Sequence, residues 1–183
     1  MASDDELPES LVRDNIVRSV GEVFEGMLRR PAAPQEWAGA WPPRPKAEPE
    51  APTPQVVVTV GFFGEAKGRI HLHFESALAV DCTGSMLGMA ASELSGAGDA
   101  VVNYAIGELT RLIVVSFRNG LDAAGILCGL TDLSILRGLS PRMDPSGGTQ
   151  RYVYAFDCGG RRLVAEILVA GDRTSGRVVS QSA

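Results

Sequence analysis

The stretch DAVVNYAIGELTRLI, residues 99–113, decides how this chain folds. On an α-helix of about 3.6 residues per turn, its apolar residues fall on one side, as in a helix packed against a core. The pattern predicts a helix from Asp99 to about Phe117, closed by Gly120 at its C-terminus. The expected core-facing positions are Val102, Ala105, Ile106, Leu109, Leu112, Ile113 and Ser116.

The opposite side of this predicted helix carries Tyr104, Glu108, Arg111 and Val115. An acid and a base three residues apart are neighbours on a helix surface, where an ion pair contributes about 0.2–0.5 kcal/mol. Such a pair is ordinary on a solvated helix and needs no function. The same four side chains also form a surface stripe that a partner could bind, and the helix pattern alone leaves both interpretations open.

Composition places the chain among soluble globular proteins. Its 183 residues are 45% hydrophobic and 21% charged, which suits one domain. The net charge of −5, without a basic block, argues against nucleic-acid binding. The chain has three widely spaced cysteines and no Cys-x-x-Cys motif, so Cys82, Cys128 and Cys158 are expected to be reduced thiols of a cytoplasmic protein. Without an N-terminal signal core or a long apolar run, we expect a cytoplasmic protein that contacts no membrane and carries no cofactor.

The sequence predicts a single domain, 1–183, with four parts. Residues 8–30 have the apolar spacing of an amphipathic helix that Pro31 ends. Residues 31–54 hold eight of the eleven prolines and are expected to form an extended linker or insertion. Residues 55–170 form the main αβ body, and 171–183 a tail.

The main body alternates strands and helices. A Gly-rich break is expected at 95–99, before the long helix, and the pair Gly159-Gly160 marks a hairpin. The sum is an α+β fold with helices on one side of a largely antiparallel sheet. The predicted strands are 55–63, 69–74, 126–136, 150–158 and 162–169, with a helix at 76–89.

Two histidines share one predicted strand. Alternation there puts Ile70, Leu72 and Phe74 on the buried face, so His71 and His73 are expected on the exposed face. Two histidines on one face could chelate a metal, but no third ligand stands at a suitable spacing. We therefore interpret them as exposed strand residues and predict no metal site.

Four segments together resemble the CheX-like domains of the CheC/CheX/FliY group of bacterial chemotaxis phosphatases. They are GEVFEGML at 21–28, VTVGFFGEAKGRI at 58–70, the helix at 77–88 that ends in MLG, and AIGEL at 105–109. The resemblance covers nearly the whole chain. It implies a CheC/CheX-like fold, a partner of the CheY-type receiver class phosphorylated on aspartate, and a homodimer.

The resemblance also implies roles for the stripe. The family signature is Glu-x-x-Asn: the glutamate pairs with a lysine beside the phosphoaspartate, and the asparagine holds a water in line with phosphorus. Glu108 matches the glutamate, whereas Arg111 occupies the asparagine position. A guanidinium has donors only and cannot orient a water as an amide does. Tyr104 stands where the family often has Asp or Ser, and the strand 130–136 lacks a proline usual there.

The resulting expectation is a CheX-like protein that binds a phosphorylated receiver, with weakened or lost aspartyl-phosphate phosphatase activity. Whether any catalysis remains is open, because Arg111 could hold the phosphoryl group as a bidentate donor or stabilise transition-state charge. The alternative is a structural, scaffolding or dimerisation protein related to flagellar switch components, with no regulator-directed catalysis.

Overall fold

The computed structural model describes residues 7–36, 54–139 and 149–171. Within these ranges the predicted helices and strands are confirmed, with most ends shifted by at most three residues and the end of the long helix moved from about Phe117 to Ala123. The elements in chain order are α1 (Glu9–Val23, continued by a π-helical turn, Phe24–Leu28), β1 (Ala33–Gln35), β2 (Pro54–Gly64), β3 (Gly68–Glu75), α2 (Ser76–Leu87), α3 (Ala91–Ala97), α4 (Asp99–Ala123), β4 (Cys128–Leu139), β5 (Thr149–Asp157) and β6 (Arg162–Ala170).

The strands form one antiparallel sheet in the order β1-β5-β6-β3-β2-β4. This order is unchanged when α1-β1-β2-β3 is exchanged with α4-β4-β5-β6, so the chain has an internal two-fold pattern centred on the β3–β6 pair. Each half lends its first strand to the sheet edge of the other half. The α+β class with helices on a largely antiparallel sheet is therefore confirmed.

The core lies between the sheet and the helices α1, α2 and α4. Valine, isoleucine and leucine suit the pleated surface, and the helices bury one apolar side each. The largest fully buried side chains are Phe24, Phe74, Phe117, Phe156, Ile16, Ile70, Leu72, Leu78, Ile106, Leu109, Ile113 and Leu121.

Gly120 lies inside α4 rather than at its end, so the prediction that it closes the helix was wrong. A Cβ added there would lie 1.8 Å from the Asn15 Oδ1 atom of α1. Glycine is therefore selected at this position by the close approach of two helices, a tertiary constraint that a helix-end pattern resembles in sequence.

Two predicted irregular segments contain short elements. Residues 91–97 form α3, whose first turn is closed by a hydrogen bond from the Ala90 N–H to Glu93 (2.6 Å), so the predicted Gly-rich break reduces to Gly98 at φ 77°. Residues 33–35 of the proline-rich segment pair with β5 as β1. The rest of that segment, 37–53, and the tail from 172 lie outside the described residues.

His71 and His73 are buried, each only 2% exposed, so the prediction that they are exposed strand residues was wrong. β3 is a central strand, flanked by β6 and β2, and its middle residues are buried on both faces. Single-strand alternation identifies the two faces of a strand but not whether the second face is covered.

The helix α4 is 25 residues long and apolar enough, by length and composition, to cross a membrane. Half of its most apolar window is buried inside the fold, and the core helix of a globular domain has the same property. Its apolarity is accounted for by the core that it completes.

Candidate functional site

The helix α4 is fixed against β4 on one flank. A Cβ placed on Gly107 would lie 3.7 Å from the side chains of Leu133 and Ile135, in ordinary van der Waals contact, so the helix backbone lies close to the strand. The Arg137 Nε atom of β4 donates to Asn103 Oδ1 (2.7 Å), and its Nη1 atom lies 3.2 Å from Asp99 Oδ1. These contacts hold the N-terminal half of α4 on the sheet.

The other flank of α4 is fixed by α1. The Arg18 guanidinium donates to both the hydroxyl and the backbone carbonyl of Ser116, each at 3.1 Å. Arg18 also pairs with Glu22 at 2.8 Å, so the arginine is anchored on its own helix. Since α4 is held from both sides, its outward side chains are presented from a fixed backbone.

The predicted stripe does face outward. Tyr104 is 68% exposed, and Val115 is half-buried. The side chains of Glu108 and Arg111 are 43% and 58% exposed, and the Arg111 Nε atom lies 3.6 Å from Glu108 Oε1. At this distance and exposure the ion pair is weak, and either side chain can leave it to bind a partner at little cost.

Leu112 was predicted on the core side of α4, but it is 40% exposed. It follows Glu108 by four residues and therefore lies about 40° from it around the helix axis. The buried side of α4 is shifted around the helix relative to the prediction, because Gly107, Thr110 and Val114 are buried as well, and Leu112 falls just outside it. An apolar side chain thus adjoins the acid–base pair. In the sequence, the four-residue spacing between Glu108 and Leu112 was the signal that could have placed Leu112 beside the stripe.

The nearby amide groups of α4 do not replace the missing asparagine. The Asn103 oxygen already accepts from Arg137, and the Asn119 oxygen accepts from the Arg118 Nη2 atom at 2.7 Å. Asn119 also lies eleven residues beyond Glu108, about 16 Å along the helix. Neither amide therefore lies beside Glu108 and free to orient a water, and the position one turn beyond Glu108 is occupied by Arg111.

The stripe is an open surface rather than a small-molecule cavity. Two surface hollows of about 300 and 380 Å³ lie elsewhere, one beside α2 and α3 and the other between α1, β1 and β5. Neither includes a stripe residue. In the ranges that the structure describes, no three His, Cys, Asp or Glu side chains are grouped to hold a metal ion. The exposed helix face suits a macromolecular partner.

A buried polar cluster lies on the opposite face of the sheet. The Glu166 carboxylate accepts from His73 Nε2 at 3.1 Å and from Arg151 Nε at 2.5 Å, while His71 Nδ1 and Thr59 Oγ1 lie 2.7 Å apart.

Burial lowers the pKa of His71 to about 4, an effect that the Glu166 charge offsets only in part. Burial alone would raise the pKa of Glu166, but the hydrogen bonds from His73 and Arg151 outweigh it and hold that pKa below its usual range. The cluster therefore keeps His71 neutral and Glu166 ionised near neutral pH. It is separated from the stripe by the sheet.

Fold and site together define a class: an α+β domain that presents an acid–base pair on the outward face of a long helix packed across an antiparallel sheet. The family model of the chemotaxis phosphatase CheX matches residues 56–157, which is more than half of the chain and includes all of α4. The chain therefore belongs to the CheX family.

Solved structures show the same fold. The chemotaxis protein CheX from Vibrio vulnificus is 16% identical, with a TM-score of 0.70 over 90% of this chain and 99% of that chain. A CheC-like superfamily protein from Shewanella sp. PV-4 is 19% identical, with a TM-score of 0.71 over 90% and 100%. A chain of the CheX–CheY–BeF3–Mg2+ complex from Borrelia burgdorferi is 15% identical, with a TM-score of 0.61 over 87% and 97%. The comparison with curated proteins gave no match.

Proposed function

We propose that this protein binds the phosphorylated receiver domain of a CheY-type response regulator through the stripe on α4, and that its aspartyl-phosphate phosphatase activity is weakened or lost. The observation that carries the proposal is the exposed Glu108–Arg111 pair in a chain of the CheX family. A structurally similar CheX chain was crystallised with CheY and BeF3, which supports the choice of partner.

Glu108 has the anchoring role in this proposal. Its carboxylate is acceptor-only and exposed, so it can pair with the lysine that lies beside the phosphoaspartate of a receiver. The ion pair with Arg111 must open for this contact to form. Because the pair is exposed and long at 3.6 Å, opening it costs only a fraction of a kcal/mol.

Arg111 is the reason for proposing weak catalysis. Hydrolysis of an acyl phosphate proceeds through a loose transition state, and the enzyme contributes mainly by positioning the water and by electrostatics. An amide both donates to the water and accepts from it, whereas a guanidinium only donates. Arg111 can instead hold the phosphoryl oxygens with two parallel hydrogen bonds.

We also propose that the protein is a cytoplasmic homodimer joined through β4. This strand is a sheet edge of twelve residues without proline, and it exposes Leu136 (47%). The edge strand β1, at the other end of the sheet, has three residues with Pro34 in the middle, which blunts it against pairing. A twelve-residue edge strand offers a longer row of backbone groups for pairing with a second copy than β1 does.

The binding test uses a CheY-type receiver from the same genome, with and without beryllofluoride as a stand-in for the phosphoryl group. The measured quantity is the ratio of the two dissociation constants by isothermal titration calorimetry. Glu108→Ala and Arg111→Ala should each weaken binding of the loaded receiver about tenfold, or 1.4 kcal/mol. Arg118→Ala is the matched control, since Arg118 also forms an ion pair on α4, partly exposed, with Asp122 at 3.8 Å.

Arg118→Ala should leave the ratio unchanged. If the wild-type protein binds both receiver states equally, or if neither stripe variant lowers the affinity, the proposal is wrong. The scaffolding alternative would then stand, because it requires the sheet and the dimer surface but not the stripe.

A further inference from the structure

We propose that this protein preserves the phosphorylated receiver: in the complex, the stripe shields the phosphoryl group from water and slows its hydrolysis. The inference rests on the proposed binding through α4 and adds that this binding lowers the rate at which the receiver loses its phosphoryl group. The output of binding would be a longer-lived phosphorylated state.

The reaction that must be slowed is simple. A water oxygen attacks phosphorus, the bond between phosphorus and the aspartate oxygen breaks, and the carboxylate leaves as inorganic phosphate forms. The attacking water must stand opposite the leaving oxygen, in line with the breaking bond. Slowing hydrolysis therefore requires only that this position be closed to water or left without a group that orients one.

Arg111 leaves the attacking water without a group that orients it. Its guanidinium, 58% exposed, offers donors to the phosphoryl oxygens and no acceptor to a water. The phosphoryl oxygens are charged before the reaction as well as in the transition state, and contacts made equally in both states do not lower the barrier.

Tyr104 and Leu112 would close the position of the attacking water. They precede and follow Glu108 by four residues, so they lie one turn to either side of it on the helix surface. Tyr104 is 68% exposed and Leu112 40% exposed, which are large exposures for an aromatic and an aliphatic side chain. Against a receiver they would cover the surroundings of the phosphoryl group with apolar surface and exclude water from it.

The arrangement is local to this part of α4. Two turns further on, the second ion pair, between Arg118 and Asp122, has the half-buried Val115 and the polar Asn119 as surface neighbours, rather than large exposed apolar side chains. It therefore offers a matched contrast: the same kinds of charge on the same helix without the apolar cover.

The test follows the decay of a receiver carrying radiolabelled phosphate after removal of the phosphodonor, with the full chain present at a concentration that binds about nine-tenths of the receiver. If bound receiver does not hydrolyse, decay should slow about tenfold relative to free receiver. Binding is measured separately for every variant, so that decay is compared at equal occupancy.

Four variants separate the contributions. A double variant, Tyr104→Ser with Leu112→Ser, should bring decay back towards the rate of free receiver at equal occupancy. Tyr104→Phe keeps the ring and removes the hydroxyl, and should protect as well as the wild type. Arg111→Asn restores the amide and should turn protection into acceleration. Arg118→Ala should protect like the wild type.

The outcomes distinguish this inference from the function on which it rests. Unchanged decay at nine-tenths occupancy would overturn the protection while leaving receiver binding intact. Faster decay with the wild-type protein would overturn both the protection and the proposed loss of activity. Protection that the serine double variant retains at equal occupancy, or that Tyr104→Phe loses, would show that apolar cover is not the cause, and the inference would fail.

Discussion

The contact between α1 and α4 makes a sharp prediction about two helix glycines. Gly21 in α1 and Gly120 in α4 both lie in helix interiors, so alanine at either position gains about 1 kcal/mol of helix propensity. A Cβ at position 21 has nothing within 4 Å, whereas a Cβ at position 120 would lie 1.8 Å from Asn15 Oδ1 and 2.8 Å from Arg18 Nη2.

Asn15 is buried and cannot simply swing into solvent, so alanine at 120 must displace it or separate the helices. Overpacking of this kind costs about 1–3 kcal/mol. Gly21→Ala should therefore stabilise the protein by up to about 1 kcal/mol. Gly120→Ala should be less stable than Gly21→Ala by about 1–3 kcal/mol.

Urea denaturation followed by circular dichroism measures the difference directly. The midpoint should rise for Gly21→Ala and fall or stay level for Gly120→Ala, with unchanged m-values. Equal stabilisation by the two substitutions would show that α1 and α4 do not approach as closely as described. Since α1 holds the flank of α4, that result would also remove the argument that the stripe stands on a fixed backbone.

Three further predictions concern the buried cluster, the dimer edge and catalysis. Burial lowers the pKa of His71 to about 4, so between pH 6.5 and 4 the unfolded chain binds a proton that the folded protein does not. The contribution of His71 to the free energy of unfolding is therefore complete above pH 6.5 and is lost as the pH falls to about 4. His71→Gln should flatten the stability profile of urea midpoints across this window, and a profile identical to that of the wild type would contradict the assignment. Leu136→Lys on the proposed dimer edge should yield a monomer by analytical ultracentrifugation, whereas a dimer that persists would place the interface elsewhere. Arg111→Asn should raise receiver dephosphorylation by this protein, and a wild-type turnover that Glu108→Ala abolishes would refute the proposed loss of activity.

Much of the fold was available in the sequence because its main elements follow strong periodic patterns. The 3.6-residue period in 99–118 identified the outward face of α4, and Tyr104, Glu108 and Arg111 do lie there. The Gly159-Gly160 turn and the alternating strands identified the hairpins, since both signals are local. The resemblance to CheX-like domains identified the family.

The errors fall where tertiary contacts decide. Whether Leu112 is covered depends on which side of α4 the rest of the fold packs against, and whether His71 and His73 are exposed depends on the second face of the sheet. Gly120 imitates a helix end in sequence because close packing and a left-handed turn both select glycine. Each of these positions is set by a neighbour distant in the chain, which a local pattern does not contain.

The central claim is that Glu108 and Arg111 together make the protein bind a phosphorylated receiver more tightly than an unphosphorylated one. The most direct measurement compares the affinities of beryllofluoride-loaded and unloaded receiver for the wild-type protein and for a Glu108→Ala, Arg111→Ala double variant. We expect a strong preference of the wild type for the loaded receiver, and loss of that preference in the double variant while Arg118→Ala retains it. A preference that survives in the double variant would contradict the claim.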